Sequence, residues 1–262
     1  MNIVAVVSAK GGVGKTTLAA NLASVLAAGG QRVVAVDLDP QNALRLHFGV
    51  PLESVDGLSR ATLRGESWVT ALVGGTDGVI VSPYGELNED DRRRFEAHLD
   101  ANPDAVRHAL DELPLDASDI VIIDTPPGAS VYARAALRAA TFAVNVVLAD
   151  AASYAAIPQM ERLIDCYAAP RSEFIGHGYV VNQVDQTRQL TKDVLKVLRD
   201  SRGATMFPGV IHHDEGVSEA LAYQTTLVAY DAVSRAAADL KSCAQWLLNA
   251  LACAPARTRS IA

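Results

Sequence analysis

The 262-residue chain is half hydrophobic and carries a formal net charge of −7, which argues against a dedicated nucleic-acid binder. Its three cysteines, Cys166, Cys243 and Cys253, lie far apart and form no CxxC pair, so we expect neither a disulfide framework nor a zinc site. With no signal peptide and no apolar run of roughly 20 residues, the sequence favours a cytoplasmic protein without direct membrane insertion.

The N-terminal segment joins a short apolar run to a glycine-rich loop. Residues 3–7 are typical of a buried parallel strand, and residues 16–28 are typical of a helix rich in Ala and Leu. Glycines between such elements let backbone N–H groups approach phosphate oxygens, and the helix N-terminus adds positive charge. The segment therefore predicts a phosphate-binding loop in which Lys15 reaches the β- and γ-phosphates and the Thr16 hydroxyl binds Mg²⁺. The predicted nucleotide-binding residues are Gly11, Gly12, Val13, Gly14, Lys15, Thr16 and Thr17.

Short apolar runs continue along the chain and alternate with helical stretches. We predict further strands at residues 31–36, 79–82, 120–123, 143–148, 175–181 and 205–211. Repeated strand–helix–strand units indicate an α/β fold with a mostly parallel twisted sheet and helices on both faces. Together with the phosphate-binding loop, they predict a P-loop NTPase fold. We predict a single domain at residues 1–254 and a flexible tail at 255–262. The densely charged stretch 86–111 is expected outside the sheet, as a solvated helix or hairpin.

Three carboxylates lie just beyond the ends of predicted strands. Asp37 and Asp39 follow the strand at 31–36, and Asp124 follows the strand at 120–123. Because ligands of a parallel sheet bind at the carboxyl ends of its strands, these side chains are expected beside the phosphate-binding loop. Asp124 is then placed to bind Mg²⁺ through water, and one of the other two carboxylates to orient water or to hold a Mg²⁺-bound water. An ordinary strand-end cap is the alternative for Asp37 and Asp39.

The loop departs from the common G-x-x-x-x-G-K-[ST] pattern, because position 9 is Ala and an additional lysine stands at position 10. With this early lysine it resembles the deviant Walker A motif of the ParA/MinD family of ATPases. Residues 37–41 are similar to that family's D-x-D-P-Q segment, and residues 124–128 are similar to its switch segment, which senses the γ-phosphate. Asn182, after the strand at 175–181, is similar to a family residue that meets the adenine edge.

This resemblance implies a slow ATPase that uses ATP and Mg²⁺ and forms a homodimer when ATP is bound. In such a dimer Lys10 crosses the interface to the partner's nucleotide, and Asp39 positions the attacking water with support from Asp37. Lys15, taken as an exposed loop residue, is expected to contribute little to the stability of the fold. The implied catalytic residues are Lys10, Lys15 and Asp39, the implied Mg²⁺ residues are Thr16, Asp124 and Asp39, and the implied adenine residue is Asn182.

Three further stretches indicate a particular branch of the ParA/MinD family. Residues 39–49, 211–215 and 218–221 look like those of BcsQ (YhjQ), a bacterial family of cellulose biosynthesis ATPases. This implies partners among the components of the inner-membrane cellulose synthase complex, and recruitment to the inner membrane or cell pole through them. The wider family usually has Ile-Pro in its adenine segment, whereas this chain has Ile211-His212. Because adjacent histidines point in different directions, His212 and His213 predict a polar loop and not a metal site.

Two stretches of the sequence allow more than one interpretation, and three other classes of function remain possible alternatives. Asp193 and Asp200 interrupt a row of basic residues at helical spacing, so a solvated face is favoured over binding of DNA or anionic lipid. The helical stretch 232–253 has few basic residues, which favours packing on the sheet over membrane binding. The other classes are a partition ATPase that binds nonspecific DNA, an iron–sulfur relative, which needs paired cysteines, and a non-hydrolysing nucleotide-bound scaffold. The basic residues are Arg188, Lys192, Lys196, Arg199 and Arg202.

Overall fold

The fold is known from a computed structural model in which residues 1–252 are described. The predicted tail at 255–262, the end of the predicted domain and Cys253 lie outside the described residues. The strands are β1 Asn2–Val7, β2 Val33–Asp37, β3 Val73–Gly74, β4 Ile80–Ser82, β5 Ile120–Asp124, β6 Phe142–Leu148 and β7 Gly176–Asn182. Together they form one sheet in the order β3-β4-β2-β5-β1-β6-β7, in which only β3 runs antiparallel to its neighbour.

Helices connect these strands and cover both faces of the sheet. They are α1 Lys15–Ala28, α2 Leu58–Arg64, α3 Glu89–Ala101, α4 Ala105–Asp111, α5 Val131–Ala139, α6 Ala151–Tyr167, α7 Gln189–Arg202, α8 Gly216–Ala222, α9 Leu227–Tyr230 and α10 Arg235–Ala252. The predicted α/β fold with a mostly parallel sheet is confirmed. The predicted elements at 3–7, 16–28, 31–36, 79–82, 120–123, 143–148 and 175–181 agree with the structure to within two residues at each end.

The alternation of side chains along β1 divides the interior into two cores. Val4 and Val6 pack on one face of the sheet, together with Leu22 of α1 and Leu247 of α10. The alternate residues of β1 pack on the other face, together with helices α2 to α6. Strands covered on both faces need apolar residues at nearly every position, which explains the continuous apolar runs in the sequence. Within residues 1–252, none of the helices combines the length and the apolarity that crossing a bilayer requires.

The predicted strand at 205–211 is wrong. Its Phe207 N–H donates to the Tyr179 carbonyl of β7, at 2.9 Å. Its Ile211 N–H donates to the Val181 carbonyl, also at 2.9 Å, so four residues of this stretch span two residues of β7. A regular ladder does not form because the extra residues include Pro208, which has no N–H to donate. Isolated bridges remain where a seventh parallel strand was predicted.

The other predicted stretches outside the sheet are helical. Most of the stretch 86–111 forms α3 and α4, which pack against α2 and α5 and contribute a few buried side chains, such as Phe95 and Leu110, to the core on that face of the sheet. The predicted C-terminal helix corresponds to α10, which buries Leu240, Leu247 and Leu251 against α1 and the sheet. The described part of this helix therefore packs on the sheet, as predicted. Strand β3 was not predicted, because it has only two residues.

Candidate active site

The loop between β1 and α1 has the backbone that a phosphate-binding loop requires. Gly12 and Gly14 adopt left-handed conformations, with φ of 74° and 84°, which other residues rarely adopt. A Cβ at Gly14 would lie 2.5 Å from Asn182 Nδ2, so a larger residue there would have to displace the Asn182 amide. Asn182 Nδ2 donates to the Val13 carbonyl at 2.9 Å and holds the loop against the end of β7. Because α1 begins at Lys15, the positive end of its dipole lies at this loop.

Lys15 is buried, and the expectation of an exposed loop lysine is wrong. Its exposed fraction is 7%, because it is the first residue of a helix that is enclosed between the sheet and α10. Its Nζ donates to Ser8 Oγ at 3.1 Å. Burial lowers the pKa of Lys15, although the charges of Asp124 and Asp39 act to raise it. A buried cation with carboxylates nearby can meet phosphate oxygens without first losing a full hydration shell.

Thr16 and Asp124 meet at the ends of neighbouring elements. Thr16 Oγ1 donates to Asp124 Oδ2 at 2.6 Å, and the Asp124 side chain is fully buried. Burial raises the pKa of Asp124 to about 7, although the Thr16 hydrogen bond and the Lys15 charge lower it. Asp124 Oδ1 is buried and accepts no hydrogen bond from any residue between 1 and 252. A hydroxyl and a carboxylate with an unpartnered oxygen are ligands of the kind that Mg²⁺ binds, so the residues present fit the predicted ion.

Asp37 and Asp39 have different surroundings. Asp37 is fully buried and lies directly opposite Asp124 in the sheet. Burial and the charge of Asp124 raise the pKa of Asp37 well above its usual range. Its two oxygens accept the N–H groups of Asp39 (2.9 Å) and Leu44 (3.0 Å), so it fixes the segment that follows β2. Asp39 is partly exposed, and its Oδ1 accepts the Gln41 N–H at 3.0 Å.

The segment 124–128 is attached to β1 and to the loop that follows it. The Thr125 hydroxyl donates to the Val6 carbonyl at 2.8 Å. The Gly128 N–H donates to the Ser8 carbonyl at 2.9 Å. A change at the phosphate-binding loop would therefore reach this segment directly through the hydrogen bond between Ser8 and Gly128. The role predicted for it, sensing of the γ-phosphate, stays a prediction.

Lys10 pairs within its own chain. Its Nζ donates to Asp150 Oδ2 at 3.0 Å, and the side chains are 41% and 36% exposed. The other Asp150 oxygen caps α6 by accepting the Ser153 N–H at 2.6 Å. Burial raises the pKa of Asp150, but the hydrogen bonds from Ser153 and Lys10 together lower it by more than burial raises it. The pKa of Asp150 therefore lies below its usual value. Sequence reasoning missed Asp150, and the role of Lys10 at a dimer interface stays a prediction.

A cavity of about 220 Å³ adjoins the loop on the side of β7. Gly14 and Thr17 line it from the loop and α1, and Asn182 lines it from the end of β7. The contact of Asn182 with adenine stays a prediction. His212 also lines this cavity, and its ring is held by Asp239 of α10. The sequence pattern gave no signal for Asp239.

Known proteins match this chain over most of its length. The sequence model of the family described as "Cellulose biosynthesis protein BcsQ" matches residues 1–248. The chain is 28% identical over 256 residues to the cellulose biosynthesis protein BcsQ of Salmonella typhimurium, with 95% of this chain and 94% of the relative covered. It is 32% identical over 227 residues to the chromosome-partitioning ATPase Soj of Thermus thermophilus, with 86% of each covered.

A solved structure resembles the fold closely. Cobyrinic acid a,c-diamide synthase from Mycobacterium smegmatis, crystallised with a bound ATP analogue and magnesium, superposes with a TM-score of 0.79. The two sequences are 25% identical, and the similarity covers 97% of both chains. The shared fold therefore extends over nearly the whole of this chain.

Proposed function

The chain belongs to the BcsQ family of cellulose biosynthesis proteins, and from that membership we propose that it is an ATP-dependent dimerising switch. In this proposal ATP and Mg²⁺ bring two subunits together, slow hydrolysis separates them, and the cycle helps to localise or assemble a bacterial cellulose synthesis machinery. Membership confirms the predicted resemblance and supports a P-loop ATPase of the ParA/MinD type. The hydrolysis rate, the dimer and the cellulose role are parts of the proposal.

One observation supports the nucleotide site above all others. At the N-terminus of α1, buried Lys15 lies near a contact of 2.6 Å between Thr16 Oγ1 and Asp124 Oδ2. Asp124 Oδ1 has no hydrogen-bond donor within the described part of the chain. A helix N-terminus, a lysine, a hydroxyl and a carboxylate are the groups that bind a triphosphate and its Mg²⁺ in P-loop proteins.

The roles of the residues follow from their surroundings. Mg²⁺, when bound, would supply positive charge to the phosphate oxygens. Thr16 would hold it through its hydroxyl, and Asp124 through its carboxylate or a water. Lys15 would exchange its hydrogen bond with Ser8 for contacts to the β- and γ-phosphates. The glycines of the loop leave backbone N–H groups free of Cβ atoms that would keep phosphate oxygens away.

Hydrolysis would depend on three further residues. Asp39 is partly exposed beside the loop, and we assign to it the orientation of the attacking water. Asp37 keeps Asp39 in place by accepting its backbone N–H at 2.9 Å. Lys10 would leave Asp150 and neutralise the developing charge on the nucleotide of the partner subunit. A two-fold interface would use each Lys10 once per site.

The first experiment measures turnover and dimerisation together. Phosphate release and sedimentation velocity, both with ATP and Mg²⁺, are compared for the parent chain and Lys10→Ala. The parent should hydrolyse ATP and form a dimer, whereas Lys10→Ala should bind ATP with near-parent affinity, remain a monomer and hydrolyse almost none. A parent chain that binds ATP without hydrolysing it would indicate the scaffold alternative. A Lys10→Ala chain that still dimerises would contradict the assignment of Lys10.

The second experiment tests the partner. Asp39→Ala loaded with ATP serves as bait in extracts of cells that make cellulose, because it should persist in the dimeric state. Components of the cellulose synthase complex should be enriched relative to Lys15→Ala bait, which should not bind ATP. Equal recovery with both baits would reject nucleotide-dependent recruitment to that complex.

A partition ATPase that binds DNA remains a second candidate, because the chain is 32% identical to Soj. On α7, the side chains of Lys192, Lys196 and Arg199 are exposed. The two remaining residues of the basic row are in ion pairs, Arg188 with Asp185 at 3.2 Å and Arg202 with Glu161 at 2.7 Å. With these three exposed cations and a net charge of −7, we expect no tight binding of duplex DNA near physiological salt. An ATP-dependent gel shift at sub-micromolar protein would favour the partition function.

A further inference from the structure

The turn that carries Asp39 is attached to the rest of the protein at both of its ends. At its start, the Asp39 N–H donates to the Asp37 carboxylate at 2.9 Å. At its end, the Asn42 N–H closes the turn by donating to the Asp39 carbonyl at 2.8 Å. The Asn42 side chain accepts the Tyr84 N–H through its Oδ1 at 3.0 Å. Asn42 therefore joins the turn to the segment that follows β4.

The backbone of Asn42 is in the left-handed conformation, with φ of 52°, which few residues other than glycine adopt. Asn42 is only 4% exposed. Within residues 1–252 its Nδ2 has no hydrogen-bond partner, so the side chain acts through its oxygen. Strained positions persist only where the surrounding structure determines them, and they are frequent at functional sites. The oxygen that reaches Tyr84 is the feature of Asn42 that glycine would not supply.

Tyr84 is a rigid anchor for this oxygen. It is fully buried, and its carbonyl accepts both the hydroxyl (2.6 Å) and the backbone N–H (3.1 Å) of Ser59. Its own hydroxyl lies 2.9 Å from that of Tyr132, and its ring packs edge-on against Phe95. Tyr132 belongs to α5, the helix that follows the segment 124–128. The turn with Asp39 and this helix are therefore held by the same buried tyrosine.

The groups that we assign to phosphate and Mg²⁺ lie on other elements. Lys15 and Thr16 begin α1, and Asp124 ends β5. The hydrogen bonds of Lys15 with Ser8 and of Thr16 with Asp124 do not involve the turn at 39–42. Loosening of this turn should therefore leave nucleotide affinity intact and displace the carboxylate that orients water. A displacement of about 1 Å at a reacting group can lower a rate by about 100-fold.

We propose that Asn42 is a positioning residue for hydrolysis, which acts through Asp39. By accepting the Tyr84 N–H, its amide oxygen keeps the Asp39 carboxylate aligned with the attacking water. Asn42 then contributes to the rate of hydrolysis and not to the affinity for ATP. The inference rests on the proposed function, because it requires that Asp39 orients the water.

Two substitutions of Asn42 separate its oxygen from its backbone. Asn42→Gly adopts the left-handed conformation without strain but has no acceptor for the Tyr84 N–H. Asn42→Asp keeps an oxygen at that place, and burial favours its neutral form, which still accepts this N–H. Single-turnover phosphate release with ATP and Mg²⁺ measures hydrolysis, and calorimetry with a slowly hydrolysed ATP analogue measures affinity.

The two variants should differ in rate and not in affinity. We expect Asn42→Gly to release phosphate roughly ten- to hundredfold more slowly than the parent, with an ATP affinity within about twofold of it. Asn42→Asp should recover most of that loss. Hydrogen exchange of the Tyr84 amide, followed by nuclear magnetic resonance, should be faster in Asn42→Gly than in the parent, because the amide has lost its acceptor.

Gln224→Gly is the matched control. Gln224 also has a left-handed backbone, with φ of 54°, but it is exposed and lies two residues beyond the end of α8. This variant should hydrolyse ATP at the parent rate. Circular dichroism establishes that each variant is folded.

Three results would overturn the inference. An Asn42→Gly chain that hydrolyses ATP at the parent rate would show that Asn42 serves the backbone conformation alone. Equal losses of affinity and rate in Asn42→Gly would show a general structural role. An Asn42→Asp chain as slow as Asn42→Gly would exclude the oxygen as the positioning group. A parent chain that binds or hydrolyses no ATP would instead refute the proposed function, so the two failures can be told apart.

Discussion

The ion pair between Lys10 and Asp150 allows a quantitative test of the dimer. If Lys10 serves the partner's nucleotide, it has to leave Asp150 in both subunits when the dimer closes. In Asp150→Asn the amide oxygen can still cap α6 by accepting the Ser153 N–H, whereas the charge that holds Lys10 is lost. We therefore expect tighter ATP-dependent dimerisation with an unchanged ATP affinity of each subunit.

The exposure of the pair sets the size of this effect. The two side chains are 41% and 36% exposed, so solvent screens the pair and its contribution is about 0–1 kcal/mol. Two pairs are broken in each dimer, which gives at most about 2 kcal/mol, or roughly a 30-fold change in the dimer dissociation constant. The difference should shrink as the salt concentration rises, because screening weakens the pair.

Sedimentation equilibrium with Mg²⁺ and a slowly hydrolysed ATP analogue measures the dimer dissociation constant. Asp104→Asn is the matched control, since Asp104 also stands at the N-cap of a helix and pairs with Arg138 at 3.0 Å. This control should dimerise like the parent chain. If Asp150→Asn dimerises no better than the parent at low salt, then release of Lys10 does not limit dimerisation and the reasoning is refuted.

Three further predictions concern the loop, the attacking water and pH. Lys15→Ala should abolish ATP binding in calorimetry and also lower the thermal midpoint, because Asp124 loses a buried cation; parent-like affinity would contradict this. Asp39→Ala should bind ATP and accumulate as a dimer, and its activation free energy for hydrolysis should be about 2–4 kcal/mol higher, so that turnover is slower. Unchanged phosphate release would indicate that Asp37 orients the water instead. Burial lowers the pKa of His47 to about 4, whereas a histidine in the unfolded chain has a pKa of about 6.5. The free energy of unfolding should therefore be highest above about pH 6.5 and should fall by up to roughly 3 kcal/mol as the pH is lowered to about 4. Urea titrations across that range should show a shallower loss in His47→Gln, and equal slopes would exclude His47 as the cause.

The elements that the sequence predicted correctly are those whose signals are local. The apolar run of β1, the glycines at 11, 12 and 14 and the start of α1 are neighbours in the chain, so the loop could be predicted as a unit. The ends of β2 and β5 carry their carboxylates within one or two residues of an apolar run. Where such strands are parallel, their carboxyl ends meet, and the site follows from the fold class.

What could not be predicted depends on contacts between distant residues. The partner of Lys10 lies 140 residues further along the chain, and no periodicity links the two positions. Asp239 belongs to an amphipathic helix, in which it resembles any solvated carboxylate until the fold places it beside His212. The prediction of a strand at 205–211 was wrong for a local reason. It relied on the apolar residues of this stretch and gave too little weight to Pro208, which has no N–H to donate to a neighbouring strand.

The register of the sheet explains why the site requires positive charge. Asp37 lies directly opposite Asp124, and both side chains are fully buried. Two buried carboxylates side by side disfavour ionisation of each other, and burial raises the pKa of both. Asp37 is compensated by two backbone N–H groups, whereas Asp124 has the Thr16 hydroxyl and a buried lysine nearby. Asp124 can therefore stay ionised more readily when a further cation is bound beside it, so ionisation of this carboxylate and binding of a cation favour each other. From this coupling we expect the loop to bind a triphosphate more tightly in the presence of Mg²⁺ than in its absence.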